Sequence, residues 1–162
     1  SAEHVLNVLS RLKAPVTNGR LATTKLQLKE EPAADVGRYE TAHSYDTFTS
    51  YVLPEKPGGT WLQIPVDQPD SSDSEFRTVE SADSTVQAIV MYRSGGALYA
   101  VQATKTGADA PDLYVKPAPV NFKVYRFNGN LDVARFKLTQ TSRSKATYMN
   151  AGDALTKEFF SR

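Results

Sequence analysis

The residue types that carry most enzyme chemistry are scarce in this chain of 162 residues. It has no cysteine and only two histidines, His4 and His43, which excludes disulfides, thiolate nucleophiles and cysteine-ligated metal centres. One local set, His43, Ser44 and Asp46, has the types of a base, a nucleophile and an orienting carboxylate. On a strand, however, His43 faces away from the other two, and catalytic triads usually combine distant positions. The sequence therefore predicts a non-enzymatic protein, with a hydrolase using His43 and Ser44 as the third hypothesis.

Metal and phosphate chemistry have equally little support. Asp70, Asp73 and Glu75 are close carboxylates that could hold a hard cation only weakly. The glycine pairs Gly58-Gly59 and Gly95-Gly96 lack the Lys-Ser/Thr or the helix that must follow a phosphate-binding loop. We expect no metal and no cofactor.

Charge is unevenly distributed, although the formal net charge is only +1. Residues 1–81 carry eight basic and twelve acidic side chains, and residues 82–162 carry eleven and six. Basic residues interleaved with aromatic ones are typical of single-stranded RNA binding, where cations meet phosphates and rings stack on bases. The alternative is a solvated hairpin face with core aromatics behind it. The candidate RNA-binding residues are Lys116, Lys123, Arg126, Arg135, Lys137, Arg143 and Lys145, interleaved with Tyr125, Phe127, Phe136 and Tyr148.

Two features favour self-association into a homo-oligomer. An acidic loop of one copy could meet the basic hairpin of the next, and such head-to-tail contacts build rings, shells or filaments. Apolar residues at i, i+3, i+4 and i+7 predict an amphipathic helix over residues 1–14, which ends at Pro15. We expect the apolar face of this helix to dock on its own sheet or on a neighbouring subunit. The predicted self-association residues are Val5, Val8, Leu9, Leu12, Asp67, Asp70, Asp73 and Glu75.

The elements that must position these residues are mainly strands. Beyond Arg20 the apolar residues recur with a period of two, and residues 86–92 are apolar enough for a strand covered on both faces. Ser94-Gly95-Gly96 and Asn128-Gly129 predict two hairpins. About eight short strands predict an all-β fold, either a sandwich or a barrel, and we expect an antiparallel, jelly-roll-like sandwich. The whole of residues 1–162 is predicted to form one domain. Its parts would be the helix 1–14, a sandwich over 15–150 and a C-terminal tail or short helix over 151–162.

The two hairpins resemble each other. One interpretation is a duplicated binding element. The simpler one is that hairpins commonly use these residue types, since a single matched pair is far short of a repeat array. The matched segments are Tyr92-Arg93-x-x-Gly96-x-Leu98 and Tyr125-Arg126-x-x-Gly129-x-Leu131.

Two resemblances to known families lead to different functions. Gly59-Thr60-Trp61 resembles the Gly-x-Trp signature of lipocalin-like barrels, which implies a small apolar ligand in a β-barrel cup near Trp61. The segment from Phe122 to Asp132 resembles the coat protein of rod-shaped plant viruses, and its Tyr-Arg-Phe strand is similar to segments of jelly-roll capsid subunits. These second resemblances imply a self-assembling subunit located in the virion.

The leading hypothesis is thus a structural coat or capsid-type subunit, or a surface domain, that self-associates and contacts RNA. A lipocalin-like ligand-binding barrel is the alternative. No apolar run approaches the length of a membrane-spanning helix, so we expect a soluble chain without a membrane span. Apart from the virion, the sequence predicts no compartment.

Overall fold

The computed structural model of the protein describes residues 3–8, 16–18, 21–30, 43–52, 56–60, 62–67, 75–128 and 135–161, with side chains from residue 46 onward. The described ranges are mainly β-structure, so the all-β prediction is confirmed. The strands are β1 (Glu3–Val8), β2 (Val16–Asn18), β3 (Leu21–Glu30), β4 (His43–Val52), β5 (Leu62–Ile64), β6 (Val66–Asp67), β7 (Phe76–Ser81), β8 (Thr85–Ser94), β9 (Ala97–Lys105), β10 (Val120–Asn128) and β11 (Arg135–Arg143). The helices are α1 (Asp112–Val115) and α2 (Ala151–Ala154), and α2 continues as a π-helical segment, Leu155–Phe159.

All of these strands belong to one sheet, which curves into a nearly closed barrel rather than the predicted jelly-roll sandwich. The order is β2-β3-β4-β7-β8-β9-β10-β11-β6, with β1 on β8 and β5 on β4. The segment β5–β6 closes the barrel, because β5 pairs with β4 and, after Pro65, β6 pairs with β11. The Phe136 N–H donates to the Pro65 carbonyl oxygen at 3.0 Å at this crossing. Joining the two sides in this way leaves fewer unpaired strand edges than an open sheet has.

Aromatic side chains fill the inside of the barrel. The Phe76 ring lies edge-on to the rings of Tyr125 and Phe136, with centroids 5.4 and 5.2 Å apart. Burial of this much ring area is a large stabilising contribution. The interior cluster, as we call it, consists of Phe48, Ile64, Val66, Phe76, Ile89, Met91, Ala100, Tyr125 and Phe136.

A second core lies on the outside of the barrel wall, beneath the C-terminal helix (Ala151–Phe159). Leu155 is buried against the wall, and the Phe159 ring lies 5.3 Å from Phe122 and 5.9 Å from Tyr92. Residues 89–92 of β8 are all buried, as predicted for a strand covered on both faces. The outer cluster consists of Val90, Tyr92, Val101, Ala103, Val120, Phe122, Val124, Ala151, Ala154 and Leu155.

The carboxylate of Glu158 fastens the C-terminal helix to the chain that precedes it. It accepts hydrogen bonds from the Tyr148 hydroxyl at 2.6 Å and from the backbone N–H groups of Lys145 and Ala146 at 2.8 and 3.1 Å. These bonds, led by that from Tyr148, hold the pKa of Glu158 below its usual value of 4.5. In turn, the hydrogen bond to Glu158 raises the pKa of Tyr148 to about 12.

We expect the packing of the C-terminal helix to depend on pH in the acid range. Folding lowers the pKa of this carboxyl group, so the group stabilises the folded state at pH values above the pKa that it has in the unfolded chain. This contribution to stability is lost as the pH falls through the lowered pKa of the folded state. Leu155 methyl signals should therefore move toward unpacked positions below about pH 4.5, as followed by NMR. In Glu158→Gln the movement should already be present at pH 7 and show no acid transition. Superimposable pH profiles of the two proteins would contradict this role for Glu158.

The predicted N-terminal helix is corrected by the structure. Glu3–Val8, which includes Val5 and Val8, forms strand β1, antiparallel to β8, with Val8 opposite Val90. A helix of about three turns is only marginally stable by itself. Strand β8, in contrast, offers backbone hydrogen-bond partners to β1 along the part of its edge with which β7 does not pair. Leu9 and Leu12 lie outside the described residues. Near the C-terminal helix, Tyr148 forms an isolated antiparallel bridge with Ala118.

Candidate ligand-binding site

The set with the residue types of a catalytic triad lies on β4. His43 and Ser44 belong to the strand, but their side chains lie outside the described part of the chain. Asp46 is buried next to β7, where its backbone N–H donates to the Thr78 hydroxyl at 3.3 Å. A hydrolase site at His43 and Ser44 stays a prediction from the sequence.

The seven candidate RNA-binding residues do not form one surface. Lys116 pairs with Asp112 at 3.3 Å and Arg135 with Asp67 at 3.4 Å. Lys123 shares its strand face with Tyr125, so it is directed toward the barrel interior. Arg143 and Lys145 lie at and beyond the far end of β11, whereas Arg126 and Lys137 are exposed and adjacent across the β10–β11 ladder.

The aromatic residues between those cations serve the core. Tyr125 and Phe136 are fully buried in the interior cluster. Phe127 is half-buried, with its ring 5.6 Å from Phe136, and Tyr148 donates its hydroxyl to Glu158. Because these rings already have packing partners, they do not form the exposed stacking platform that RNA bases require.

The Ser94–Ala97 turn lies at one end of the barrel, which we call the mouth. The ends of β4 and β10 and the starts of β7 and β11 lie at the same end. The described turn is the predicted first hairpin, in which Gly95 and Gly96 have φ of +57° and +79°. Positive φ at both central positions is what a tight two-residue hairpin requires. Loops carried on a rigid scaffold are common positions for binding residues.

A cavity of about 440 Å³ lies at the mouth, and two arginines are among the residues that line it. Arg93 comes from the end of β8 and Arg126 from the end of β10, and the described lining residues include no carboxylate. The turn leaves open space beside both glycines, where an added Cβ would meet no atom within 4 Å. The lining residues are Arg93, Gly95, Gly96, Ala97, Leu98, Arg126 and Phe127.

A row of side chains on the outer face of the barrel holds Arg126 in place. Tyr99 is stacked on Tyr92, with centroids 5.4 Å apart and an interplanar angle of 15°, and the Arg126 guanidinium lies 5.9 Å from the Tyr99 centroid. Since β9 runs between β8 and β10, Tyr99 lies between Tyr92 and Arg126. Burial, with a contribution from Tyr99, raises the pKa of Tyr92 to about 12. Tyr92 therefore stays neutral at physiological pH, and Arg126 gains a cation–π contact with Tyr99.

Among the described side chains next to the mouth cavity, two cations stand side by side. Arg126 stands opposite Lys137, and Lys137 stands opposite Asp67 on β6. Asp67 is already paired with Arg135, so it neutralises only part of this positive charge. Like charges directly opposite across a ladder are destabilising, and an anion placed between them would relieve the repulsion.

Arg93 was missing from the predicted set, although the sequence carried a signal for it. Arg93 and Arg126 occupy the same position in the two matched hairpin segments, and both line the mouth cavity. The hypothesis of a duplicated binding element therefore has support in the geometry. The similarity was too short to decide between the two interpretations without the three-dimensional placement.

Other predicted positions contribute less to the site. Glu75 directly precedes β7 at the mouth, while Asp70 and Asp73 lie outside the described residues. Self-association through them stays a prediction, since the structure holds one copy of the chain. Within the described ranges, no three His, Asp or Glu side chains gather as ligands for a metal ion, and no helix there has the length and apolarity to cross a membrane. Trp61 also lies outside the described residues.

Comparison with known proteins adds a likeness of fold. No family model matches the sequence, and no curated protein is significantly similar to it. The crystal structure of CarG is similar in fold, with a TM-score of 0.60 and 21% sequence identity. The match covers 89% of this chain and 94% of CarG.

Proposed function

We propose that this protein is a binding module that takes a small anionic ligand at the mouth of its barrel. The observation that carries the proposal is the cavity with Arg93 and Arg126 in its lining, where the described lining residues include no carboxylate. Guanidinium groups donate paired hydrogen bonds to carboxylates and phosphates, and they stay charged at any physiological pH. The open turn at Gly95 and Gly96 lets a ligand approach the backbone closely.

The barrel shape agrees with the ligand-binding alternative, but it changes the chemistry of the ligand. The lipocalin-like resemblance implies an apolar molecule inside the barrel, where the aromatic interior cluster now lies. The mouth cavity lies instead at the loop-bearing end and is lined by cations. A carboxylate or phosphate compound, rather than a lipid-like one, is the ligand class that we propose.

RNA binding and coat-type assembly stay predictions from the sequence. A strand of RNA needs several phosphate contacts along its path and rings on which bases can stack. Among the described residues at the mouth, Arg93, Arg126 and Lys137 lie close together, and the neighbouring ring of Phe127 packs on Phe136. This arrangement favours a compact anion over a polymer.

Titration of pyrophosphate and citrate by calorimetry tests the proposal. We expect saturable binding of at least one of them to the wild type. Arg126→Gln should weaken it roughly ten- to hundredfold, since a hydrogen bond to a charged group contributes about 1.5–3 kcal/mol. Arg93→Gln should have an effect of the same size. Lys116→Gln is the matched control, because it removes one positive charge that is ion-paired with Asp112 and does not line the cavity.

Two results would count against a small-anion site. The first is an affinity that all three variants lower equally, because the protein would then respond only to overall charge. The second is tight binding of a ten-nucleotide oligouridine that neither pyrophosphate nor citrate displaces. That outcome would support the RNA hypothesis in place of this one.

A further inference from the structure

A break in the barrel wall lies between β7 and β8. Their ladder contains only the pairs Val79 with Gln87 and Glu80 with Thr85, with a register shift between them. Farther along β8, β1 takes over this edge from Val90 onward. Among the described residues, the stretch at Ala88 therefore has no ladder partner on this side of β8.

The Gln87 side chain forms hydrogen bonds on both sides of the break. The Gln87 side-chain amide donates to the Arg77 carbonyl oxygen, in place of a backbone bond between the strands. The other end of the same amide accepts a hydrogen bond from the Thr104 hydroxyl at 2.9 Å. Because both ends of the amide form hydrogen bonds, the Gln87 side chain has a fixed position at the edge of the break.

The C-terminal helix crosses the break and leaves a cavity of about 210 Å³ beneath it. Val90 and Leu155 of the outer cluster and Ala88, which packs against that cluster, line this cavity, so it lies on the outer side of the wall. An apolar cavity of about 150 Å³ accommodates benzene, so this one has room for a ring with a short side chain. The lining residues are Thr78, Glu80, Thr85, Gln87, Ala88, Ile89, Val90, Gly152, Leu155, Thr156 and Phe160.

The lining combines an apolar body with one charged end. Ala88, Leu155 and Phe160 supply apolar surface, and three threonines add polar groups. Glu80, which is exposed, is the only ionisable side chain among the described lining residues. A carboxylate beside an apolar pocket favours a ligand that pairs an ammonium group with a hydrocarbon body.

We propose that the cavity between β7, β8 and the C-terminal helix is a second binding site, which takes a small primary amine with an apolar body. The ammonium group pairs with the Glu80 carboxylate, and the body lies between Ala88 and Leu155. This wall site is separate from the mouth, with which it shares no lining residue. It stands independently of the anion-binding function.

Titration of 2-phenylethylamine at pH 7, followed through the backbone amide NMR signals of Gly152 and Thr156, tests the proposal. We expect saturable shifts of those signals, with 2-phenylethanol binding more weakly and phenylacetate weakest. Glu80→Gln should weaken the amine roughly two- to fivefold, as expected for an ion pair with an exposed carboxylate, and leave the alcohol unchanged. Asp83→Asn is the matched control, since it removes a nearby exposed carboxylate that does not line the cavity.

Filling the cavity separates this site from adventitious binding elsewhere. Gly152→Leu places a side chain where an added Cβ meets nothing within 4 Å, and it should abolish binding of amine and alcohol together. Ala88→Val is a second filling variant with the same expected result, should the helix not tolerate leucine. The proposal is overturned if the amine fails to saturate, if Glu80→Gln binds it as well as the wild type, or if a folded filling variant still binds.

Discussion

Replacing Phe76 by alanine is expected to lower the free energy of unfolding by about 3–5 kcal/mol. The Phe76 side chain is 1% exposed, and its ring packs against Tyr125 of β10 and Phe136 of β11. Its deletion would leave a void bordered by strands from opposite sides of the barrel, which cannot collapse without breaking ladders. Since domains of this size are stable by about 5–15 kcal/mol, the variant should lose a large part of its stability. Urea unfolding followed by circular dichroism measures the change.

Leu62→Ala is the control for this prediction. Leu62 is also a large apolar residue on a strand, but it is 62% exposed. Its truncation should change the free energy of unfolding by no more than about 0.5 kcal/mol. If Phe76→Ala and Leu62→Ala had equally small effects, the interior cluster would not be the main core of the barrel.

Leu155→Asp is expected to detach the C-terminal helix and to lower the free energy of unfolding by at least about 3 kcal/mol. Leu155 is 3% exposed within the outer cluster, where a carboxylate would have an apolar environment in place of water. The helix can avoid this burial only by leaving the wall. The outer cluster would then be exposed, so 8-anilinonaphthalene-1-sulfonate fluorescence should rise together with the loss of stability in urea.

Lys157→Ala provides the comparison in the same helix. Lys157 is exposed, so its truncation should leave both the dye fluorescence and the unfolding midpoint near their wild-type values. A folded Leu155→Asp protein without increased dye binding would show that the helix does not cover the outer cluster. This test also separates the two cores, because Phe76 and Leu155 belong to different clusters.

Local patterns in the sequence were sufficient for several elements. The continuous apolar run of β8 correctly predicts a strand covered on both faces, because residues 89 and 91 face the interior cluster while 90 and 92 face the outer one. Glycine at two successive positions correctly predicts the turn between β8 and β9. In both cases the determining interactions lie within a few residues of each other, so a local pattern carries the information.

Local patterns did not predict the structure of a segment that can form either of two secondary-structure elements. Val5 and Val8 fit a helical stripe, yet they lie on a strand because the vacant edge of β8 supplies hydrogen bonds that no local pattern records. The choice between sandwich and barrel depended in the same way on β5 and β6 reaching strands on opposite sides of the sheet. Tertiary context overrides weak local preference in such segments.

For the candidate site too, the sequence identified some of the residues, and the tertiary structure decided which of them lie together. The sequence identified Arg126 and Lys137 as members of a basic set, but it could not tell which cations are neutralised by distant carboxylates, as Arg135 is by Asp67. It also favoured an ordinary explanation for the hairpin match that includes Arg93. Only the sheet brings Arg93 and Arg126 into one cavity.

By itself, the sequence determined the strand-rich class, the first hairpin and the scarcity of cysteine and histidine, because these follow from composition and from contacts between near neighbours. Only the tertiary structure decided how the barrel closes, which aromatic rings fill the interior and which cations meet at the mouth. Those outcomes depend on pairing between residues far apart in the chain. The free energy of such pairing comes from burial and charge neutralisation that exist only once the sheet has formed.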